Sequence, residues 1–392
     1  MKVVGAYAGA ILLMGLASLA AAGPIAPPPK ASLGLPPVPV PPENPITSAK
    51  VELGRMLFMD RRLSHNNTLS CGMCHVPEQG FTSNELGTAV GLEGQSVRRN
   101  SPTIFNVAYV EQLFHDGREF SLENQVWGPL LAGNEMANPS MGYVVEKIRL
   151  LPEYKGRFER TFGRGPNAAN VGQALAAYQR TVLSANSRFD RWYYGKRKDA
   201  LNAEEQAGFR LFAGKGGCAA CHTIGPRHAL FSDQDFHNTG IGYANSMQLV
   251  RRHKVQLAPG VHTEVTDKDL EAFEPPIPDV GRYEVTLDPA DSWKYRTPGL
   301  RNVALTSPYM HDGSLATLED VVEFYDRGGI ANPHLDPLVK PLGLSGAEKR
   351  QLVAFLRALT GDNADRLAAE ARRAQPPDTP PERDPAAVYR RR

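Results

Sequence analysis

Two short cysteine motifs constrain this chain more than any other feature of its sequence. The first, CGMCH, spans residues 71–75, and the second, CAACH, spans residues 218–222. Together they contain all four cysteines of the 392 residues. Two cysteines three positions apart are neighbours on one helical turn, so both sulfurs can reach the same ligand. Each motif therefore requires a local helical turn on which two sulfurs and an imidazole meet one ligand.

The ligand that this spacing indicates is a covalently attached haem, with the histidine of each motif bound to the iron. A zinc ribbon would place its two CxxC pairs about 15–20 residues apart, and a thioredoxin-like pair needs no histidine at that position. His237 and His311 are expected to be hydrogen-bonded structural groups rather than iron ligands. The sequence thus predicts two haem c groups, attached at Cys71, Cys74, Cys218 and Cys221 and ligated by His75 and His222.

The two ends of the chain differ in composition from its middle. Residues 1–22 contain an early lysine, an apolar run and a small-residue end, which predict a cleaved signal peptide and a periplasmic protein. An uncleaved membrane anchor is the alternative. Residues 23–45 are Pro-rich and predict a linker. Residues 362–392 predict a disordered tail, of which the first part can form a short helix. The formal net charge of +2 argues against a nucleic-acid partner, and no later segment is apolar enough to span a membrane.

An internal repeat lies between these ends. Residues 100–129 match residues 296–325 without a gap, at a constant offset of 196 (296 minus 100). Each half has its own cysteine motif, and helical periodicity of the apolar residues dominates both halves. The sequence predicts a mainly α fold of two tandem cytochrome c-like haem domains, 46–198 and 199–361. Residues 223–295 are rich in Gly, Pro and Asp and predict long loops.

The repeat also predicts that the two haem sites differ. Ser121 and Thr317 are matched N-caps, each followed by a short helix. Tyr325 lies on the apolar face of the second helix, whereas its counterpart Pro129 offers no donor atom. Periodicity alone leaves Tyr325 open as a core aromatic, and Met310 is a rival iron ligand. The pattern favours an open first haem and a six-coordinate second haem.

Six longer segments follow one another along the chain: ELGRMLFMDRRLSHNNTLSCGMCH, RNSPTIFNV, HDGRE, GNEM, HNTGIG and RTPGLRNVALTSPYMHDG. Together they resemble the bacterial di-haem cytochrome c peroxidase and MauG family, over most of residues 46–361. The resemblance implies that Tyr325 stands where peroxidases have a methionine ligand and MauG-like members a tyrosine. It also places Leu92 where many peroxidases have a histidine that blocks the first haem, so this haem is expected to be open at rest.

Further site residues follow from the same resemblance. Glu135 falls on the distal acid of the family, and Gln125 and Pro129 fall on other positions of that pocket. His115 stands where the family usually has a tryptophan between the haems, which makes it a candidate electron relay or a space-filling residue. The resemblance also implies a calcium ion between the haems, bound by oxygen atoms of Asn100, Thr306 and Pro308.

The implied activity uses hydrogen peroxide to form high-valent iron at the first haem, which then oxidises a substrate, such as a tryptophan of a partner protein. A phenolate is a hard ligand that stabilises high-valent iron, whereas a thioether stabilises ferrous iron. Three alternatives stay open: a cytochrome c peroxidase fed by a small cytochrome or cupredoxin, an electron carrier, and an oxygenase of a small molecule. Residues 215–217 lack the tryptophan with which MauG contacts its partner, so methylamine dehydrogenase is not implied.

Overall fold

The structure, a computed structural model, describes residues 32–247 and 278–373 and the backbone of two strands between them. The predicted signal peptide lies outside the described residues. Helices dominate this part of the chain, and none of them is long and apolar enough to cross a membrane. In chain order they are α1 (Ser48–Met59), α2 (Cys71–Cys74), α3 (Leu122–Gln125), α4 (Trp127–Leu131), α5 (Met141–Leu150), α6 (Arg157–Phe162), α7 (Ala168–Gln179), α8 (Arg188–Tyr193), α9 (Ala203–Ala213), α10 (Ile241–Ser246), α11 (Tyr283–Thr286), α12 (Leu318–Asp326), α13 (Gly346–Arg357) and α14 (Ala364–Arg372).

Four short strands accompany these helices in two antiparallel pairs. They are β1 (Phe236–His237), β2 (Arg252–Ala258), β3 (Val261–Thr266) and β4 (Tyr295–Arg296). Strand β1 pairs with β4, and β2 forms a hairpin with β3. The stretch predicted as long loops thus contains α10, α11 and this hairpin as well. A Pro-Gly turn signal between β2 and β3 was the feature of the sequence that could have predicted the hairpin.

Two helix pairs of the same design build the two halves of the chain. Helix α1 crosses α7, and helix α9 crosses α13. A Cβ atom on Gly54 would lie 1.9 Å from the carbonyl oxygen of Ala174, and one on Gly208 would lie 1.9 Å from that of Gln351. Only a glycine allows two backbones to approach so closely. The internal repeat therefore extends to helices on both sides of the matched segments.

The buried apolar side chains form two main clusters, one around each helix pair. The first is built on α1, α4, α5 and α7 and includes Phe81 and Phe158. The second is built on α9, α12 and α13 around Phe189 and Phe355. The first cluster also receives Leu367 of α14, so the first part of the tail forms the short helix that its sequence allows. The apolar face of this helix packs against the N-terminal half, and the rest of the tail lies outside the described residues.

The Pro-rich segment predicted as a linker is bound to the body over its described part. Leu35 is buried. The carbonyl oxygen of Gly34 accepts a hydrogen bond from Nη2 of Arg301 at 2.5 Å, and the Tyr109 hydroxyl donates to the carbonyl of Pro36 at 2.9 Å. A Pro-rich chain has few N–H donors but keeps all its carbonyl acceptors. Donors from both halves of the protein use these acceptors, so the segment is not a free linker.

The matched N-caps are confirmed, and they place positions 129 and 325 on equivalent turns. The Ser121 hydroxyl accepts a hydrogen bond from the N–H of Asn124 at 3.2 Å, and the Thr317 hydroxyl accepts one from Asp320 at 3.1 Å. Helix α12 then continues to its end without a break, whereas its counterpart is divided into α3 and α4. Pro129 has no N–H and removes one helical hydrogen bond there, which is consistent with this division.

Candidate functional site

The first cysteine motif forms a single helical turn, and its histidine is oriented by the backbone. Helix α2 spans both cysteines, and His75 follows as its C-cap. Nδ1 of His75 lies 3.2 Å from the carbonyl oxygen of Phe81. Because a carbonyl can only accept, Nδ1 carries the proton and Nε2 keeps a lone pair for a metal ion. Burial lowers the pKa of His75, which favours this neutral form.

The second motif repeats this arrangement with other partners. A 3₁₀ turn covers Cys218–Ala220, and Nδ1 of His222 lies 2.9 Å from the carbonyl oxygen of Phe231. Burial lowers the pKa of His222 as well. The backbones of the repeat partners Pro102 and Pro298 lie near the imidazole of their own half and oppose part of this lowering. Burial is the larger effect, so both histidines favour the neutral form, with one ring nitrogen available as a ligand.

The four thiols fit attachment to haem better than direct metal binding. None of them is in a disulfide, and all four lie in the described part of the chain. Burial raises the pKa of the Cys71 thiol to about 12 and that of Cys218 to about 11. At neutral pH these thiols are therefore protonated. Paired thiols beside a neutral histidine are the donor set that a c-type haem requires.

The residues expected around the first haem come together through backbone contacts. The N–H of Leu92 donates to the carbonyl oxygen of Glu135 at 3.0 Å, and the N–H of Met136 donates to that of Pro129 at 3.1 Å. Gln125 ends α3 and is half-buried. These two hydrogen bonds bring the backbones of Leu92, Pro129 and Glu135 into one region, and the role of Gln125 there stays a prediction.

Electrostatics place the Glu135 carboxyl beside the first cysteine motif. This carboxyl contributes to the raised pKa values of both Cys71 and Cys74. Burial raises the pKa of Glu135 itself above its usual range, and the nearby guanidinium of Arg118 opposes part of that rise. A carboxyl group with a raised pKa can take up and return a proton near neutral pH.

A cavity of about 330 Å³ opens at the second motif, within the size range of cofactor pockets. Its lining includes Cys218, Cys221, Tyr325 and Met310. Burial, followed by the two sulfurs, raises the pKa of the Tyr325 phenol. A phenolate at this position would therefore require a cation such as iron beside it. Both predicted ligand candidates line the cavity, and the phenol of Tyr325 is near enough to the sulfurs for them to raise its pKa.

The same cavity continues towards the first motif and includes the predicted calcium donors. Asn100, Thr306 and Pro308 all line it. Nδ2 of Asn100 donates to the carbonyl oxygen of Gly87 at 2.9 Å, so only the amide oxygen is left to act as an acceptor. His115 also lines the cavity, with Nε2 2.9 Å from the backbone oxygen of Asn100. Burial lowers the pKa of His115 to about 3, so its imidazole is neutral.

The structural role predicted for His237 is confirmed by its hydrogen bonds. Its Nδ1 lies 2.6 Å from the Asp336 carboxylate and its Nε2 lies 3.0 Å from the Asp233 carboxylate. A hydrogen bond to the Cys221 sulfur, together with these carboxylates, raises the pKa of His237 to about 10. Donor atoms of Cys221, Asp233 and His237 lie within 4.8 Å of one another. Since Cys221 belongs to the attachment motif, we assign its sulfur to the haem and not to a separate metal ion.

Sequence reasoning missed Tyr295, which lines the cavity and packs against the other predicted structural histidine. The rings of Tyr295 and His311 stack with 3.5 Å between their centroids, and the Arg99 guanidinium lies 5.5 Å from the Tyr295 ring. His311 is therefore held by ring stacking. Tyr295 is the repeat counterpart of Arg99 (295 minus 196), one residue before the matched segments begin. The difference between Tyr295 and Arg99 at equivalent positions of the repeat is the feature of the sequence that could have identified Tyr295.

Comparison with known proteins decides the family. A family model described as di-haem cytochrome c peroxidase matches residues 48–198. The cytochrome-c peroxidase IdrP1 of Denitromonas iodatirespirans is 42% identical over 336 residues, which cover 83% of this chain and 85% of that protein. The methylamine utilization protein MauG of Methylorubrum extorquens is 38% identical over 329 residues, covering 83% and 82%. The chain belongs to the di-haem cytochrome c peroxidase and MauG family.

A solved structure of the family has the same fold. It is the crystal structure of a MauG-like protein associated with microbial copper homeostasis, with a TM-score of 0.70 and 31% sequence identity. The match covers 88% of this chain and 98% of that one. As a di-haem cytochrome c peroxidase and MauG family member, the protein is an oxidoreductase, and the family implies two haem groups. The two cysteine motifs with their neutral histidines are the sites that fit these groups.

Proposed function

We propose that the protein is a periplasmic oxidoreductase with two covalently attached haem c groups in tandem domains, residues 46–198 and 199–361. It reduces hydrogen peroxide at the first site and oxidises a side chain, such as tryptophan, of a partner protein. The signal-like sequence of residues 1–22 supports export. The separate apolar clusters around the two helix pairs support the division into two domains.

One observation carries this proposal, and it is the difference between two equivalent positions of the repeat. In the first half, Pro129 has no side-chain donor, and its carbonyl is used by the N–H of Met136. In the second half, the Tyr325 phenol faces a cavity beside the sulfurs of Cys218 and Cys221. The first site is thus open to a small ligand, and the second site can be closed by an oxygen donor.

The side chains have separate tasks in this scheme. His75 would hold the first iron, and His222 and Tyr325 the second. When bound, the haems supply the redox chemistry that converts hydrogen peroxide, two protons and two electrons into two water molecules. Glu135 takes the proton of the incoming peroxide and returns it to the oxygen that leaves. Leu92 keeps the adjacent wall apolar and has no atom that can ligate iron.

A calcium ion between the haems is a further part of the proposal. The amide oxygen of Asn100 would be one donor, and the backbone oxygens of Thr306 and Pro308 would be the others. Calcium takes six to eight oxygen ligands, and none of these three donors is a carboxylate, so water would complete the shell. Titration of the metal-free protein with calcium, followed by calorimetry, tests this site.

A second candidate function is that of a cytochrome c peroxidase, which reduces hydrogen peroxide with electrons from a reduced redox protein. It is favoured by the name of the IdrP1 relative, which is more similar to this chain than the MauG relative is. Tyr325 argues against it because a phenolate stabilises oxidised iron. Rapid steady-state turnover of hydrogen peroxide with a reduced small cytochrome would support this second function, and single-turnover behaviour would support the first.

Replacement of Tyr325 by Phe tests the proposed ligand. Without the phenol oxygen, we expect the optical spectrum of the ferric second haem to change to that of a five-coordinate haem. One equivalent of peroxide should then alter the Mössbauer signal of only one iron, whereas both signals change in the wild type. Tyr309→Phe is the matched control because this tyrosine also lines the cavity but donates to the carbonyl of Val303 at 3.0 Å. An unchanged ferric spectrum in Tyr325→Phe would exclude this ligand.

A further inference from the structure

The region between the two sites contains no obvious electron carrier at the position where the family usually has one. His115 stands there, with its ring bound to the backbone oxygen of Asn100 at 2.9 Å. Burial keeps this imidazole neutral. An imidazole is much harder to oxidise than a phenol or an indole, since its ring is small and electron-poor. His115 is therefore a poor candidate for carrying an electron between the sites.

Tyr295 is a phenol beside the His115 segment. It is buried, with 8% of its surface exposed, and lines the cavity together with His115 and the second motif. The N–H of Arg296 donates to the carbonyl oxygen of His115 at 2.8 Å, so the strand that contains Tyr295 is bonded directly to the His115 segment. His311 stacks on the phenol ring with 12° between the ring planes and restricts its rotation.

The opposite end of the cavity reaches the back of the first site. Asn100, Pro102 and Phe105 form this part of its wall. The backbone of Pro102 lies near the ring of His75, the iron ligand proposed for the first site. The N–H of Asn100 donates to the carbonyl oxygen of His311 at 2.7 Å, which ties the wall to the stacked ring pair. Tyr295 is thus located between the two motifs.

A tyrosine that exchanges electrons also needs an acceptor for its proton, and Asp279 provides one. The Tyr295 hydroxyl donates to the backbone oxygen of Asp279 at 3.3 Å, and burial, followed by the carboxylate of the same residue, raises the pKa of the phenol. Nε and Nη2 of Arg99 bind that carboxylate at 2.6 and 2.7 Å, which fixes its position and keeps it ionised beside the phenol. Tyr309 lines the same cavity but donates to the carbonyl of Val303, a residue without a carboxylate.

We infer that Tyr295 is the one-electron relay between the two haem sites. The inference rests on the proposed function, because hydrogen peroxide supplies the oxidising equivalents. Tyr295 gives one electron to the first site and its phenol proton to the Asp279 carboxylate, and becomes a neutral radical. It then takes one electron from the second site and recovers the same proton, so that Tyr295 and Asp279 end unchanged. His311 is a positioning residue that holds the ring in place.

The test uses the full-length diferric protein with both haems, mixed with one equivalent of hydrogen peroxide and frozen after milliseconds. In the wild type we expect an electron paramagnetic resonance signal of a tyrosyl radical, which changes its hyperfine splitting when the protein is made with ring-deuterated tyrosine. Tyr295→Phe keeps the stacked ring and should lose this signal. It should also slow the change at the second iron at least about tenfold. Tyr309→Phe is the matched control and should keep both.

The outcomes separate this inference from the function on which it rests. If the wild type does not consume peroxide, the proposed function is wrong, and the inference that Tyr295 is a relay is then wrong as well. If Tyr295→Phe consumes peroxide and shows the same radical signal and the same rate at the second iron, the relay alone is wrong. Loss of the radical in Tyr295→Phe, with peroxide consumption at the first site retained, supports the relay. Near-ultraviolet circular dichroism of the variant checks that the fold is intact.

Discussion

Replacing Glu135 by Gln is expected to slow the reaction with hydrogen peroxide by about 10²–10⁴-fold, the usual effect of losing a positioned acid-base group. Glutamine has nearly the same size but cannot take up a proton. The carboxyl group of Glu135 lies beside the first cysteine motif. The backbone oxygen of Glu135 accepts a hydrogen bond from the N–H of Leu92, which holds this residue in place. Stopped-flow absorbance with increasing peroxide concentrations measures the second-order rate.

The pH dependence of the same reaction follows from the direction of the pKa shift of Glu135. Burial raises this pKa. The base must be ionised to accept the proton of peroxide, so the rate should fall as the pH drops through the raised pKa. This acidic limb should lie above the value of about 4.3 for an ordinary glutamate. It should disappear in Glu135→Gln. Glu146→Gln, in the middle of α5, where the carboxylate pairs with Arg149 and is 38% exposed, is the control, and an equal loss of rate there would refute the assignment.

Replacing Arg301 by Met is expected to lower the free energy of unfolding by about 3–5 kcal/mol, the usual effect of breaking a buried ion pair. Arg301 and Asp190 are both buried and are joined by two hydrogen bonds of 2.8 and 2.9 Å. Arg301 also donates to the carbonyl oxygens of Ala229 and Gly34. Its loss would leave one buried carboxylate without its cation and release the Pro-rich segment. Urea unfolding followed by circular dichroism measures the change.

Two controls make this second prediction specific. Glu319→Ala breaks the ion pair with Arg357, in which both side chains are more than half exposed, and should change the stability by no more than about 1 kcal/mol. The double variant Asp190→Asn with Arg301→Met removes the unpaired charge and should recover part of the loss. Hydrogen exchange of residues 33–36 should become faster in Arg301→Met. Unchanged exchange there would contradict the role assigned to the guanidinium.

The parts of the site that the sequence predicted are those in which the residues act locally. The two cysteines and the histidine of each motif lie within five positions, so one turn of backbone brings them together whatever surrounds it. The N-caps Ser121 and Thr317 act within three residues, and their prediction was correct for the same reason. The repeat then related Tyr325 to Pro129, and this comparison needed no coordinates.

The sequence was less informative where a segment packs against distant partners. It allowed a short helix in the tail, but it did not show that Leu367 of α14 joins the core of the N-terminal half. The Pro-rich segment was predicted as a linker, yet it is bound because Arg301, far along the chain, donates to Gly34. Composition describes a segment correctly as polar or Pro-rich, but it does not contain the surface that the segment contacts.

By itself the sequence determined the two cysteine motifs with their adjacent histidines, the two-fold repeat and the unlike residues at its equivalent positions, because spacing along the chain is enough to define them. Only the tertiary structure decided which groups share one environment. In the folded chain the Tyr295 ring stacks on His311, and Asp279 lies beside the Tyr295 phenol. Glu135 is buried near the first cysteine motif. Burial and contacts between distant residues set the pKa values and the cavity walls, and these depend on how the whole chain packs.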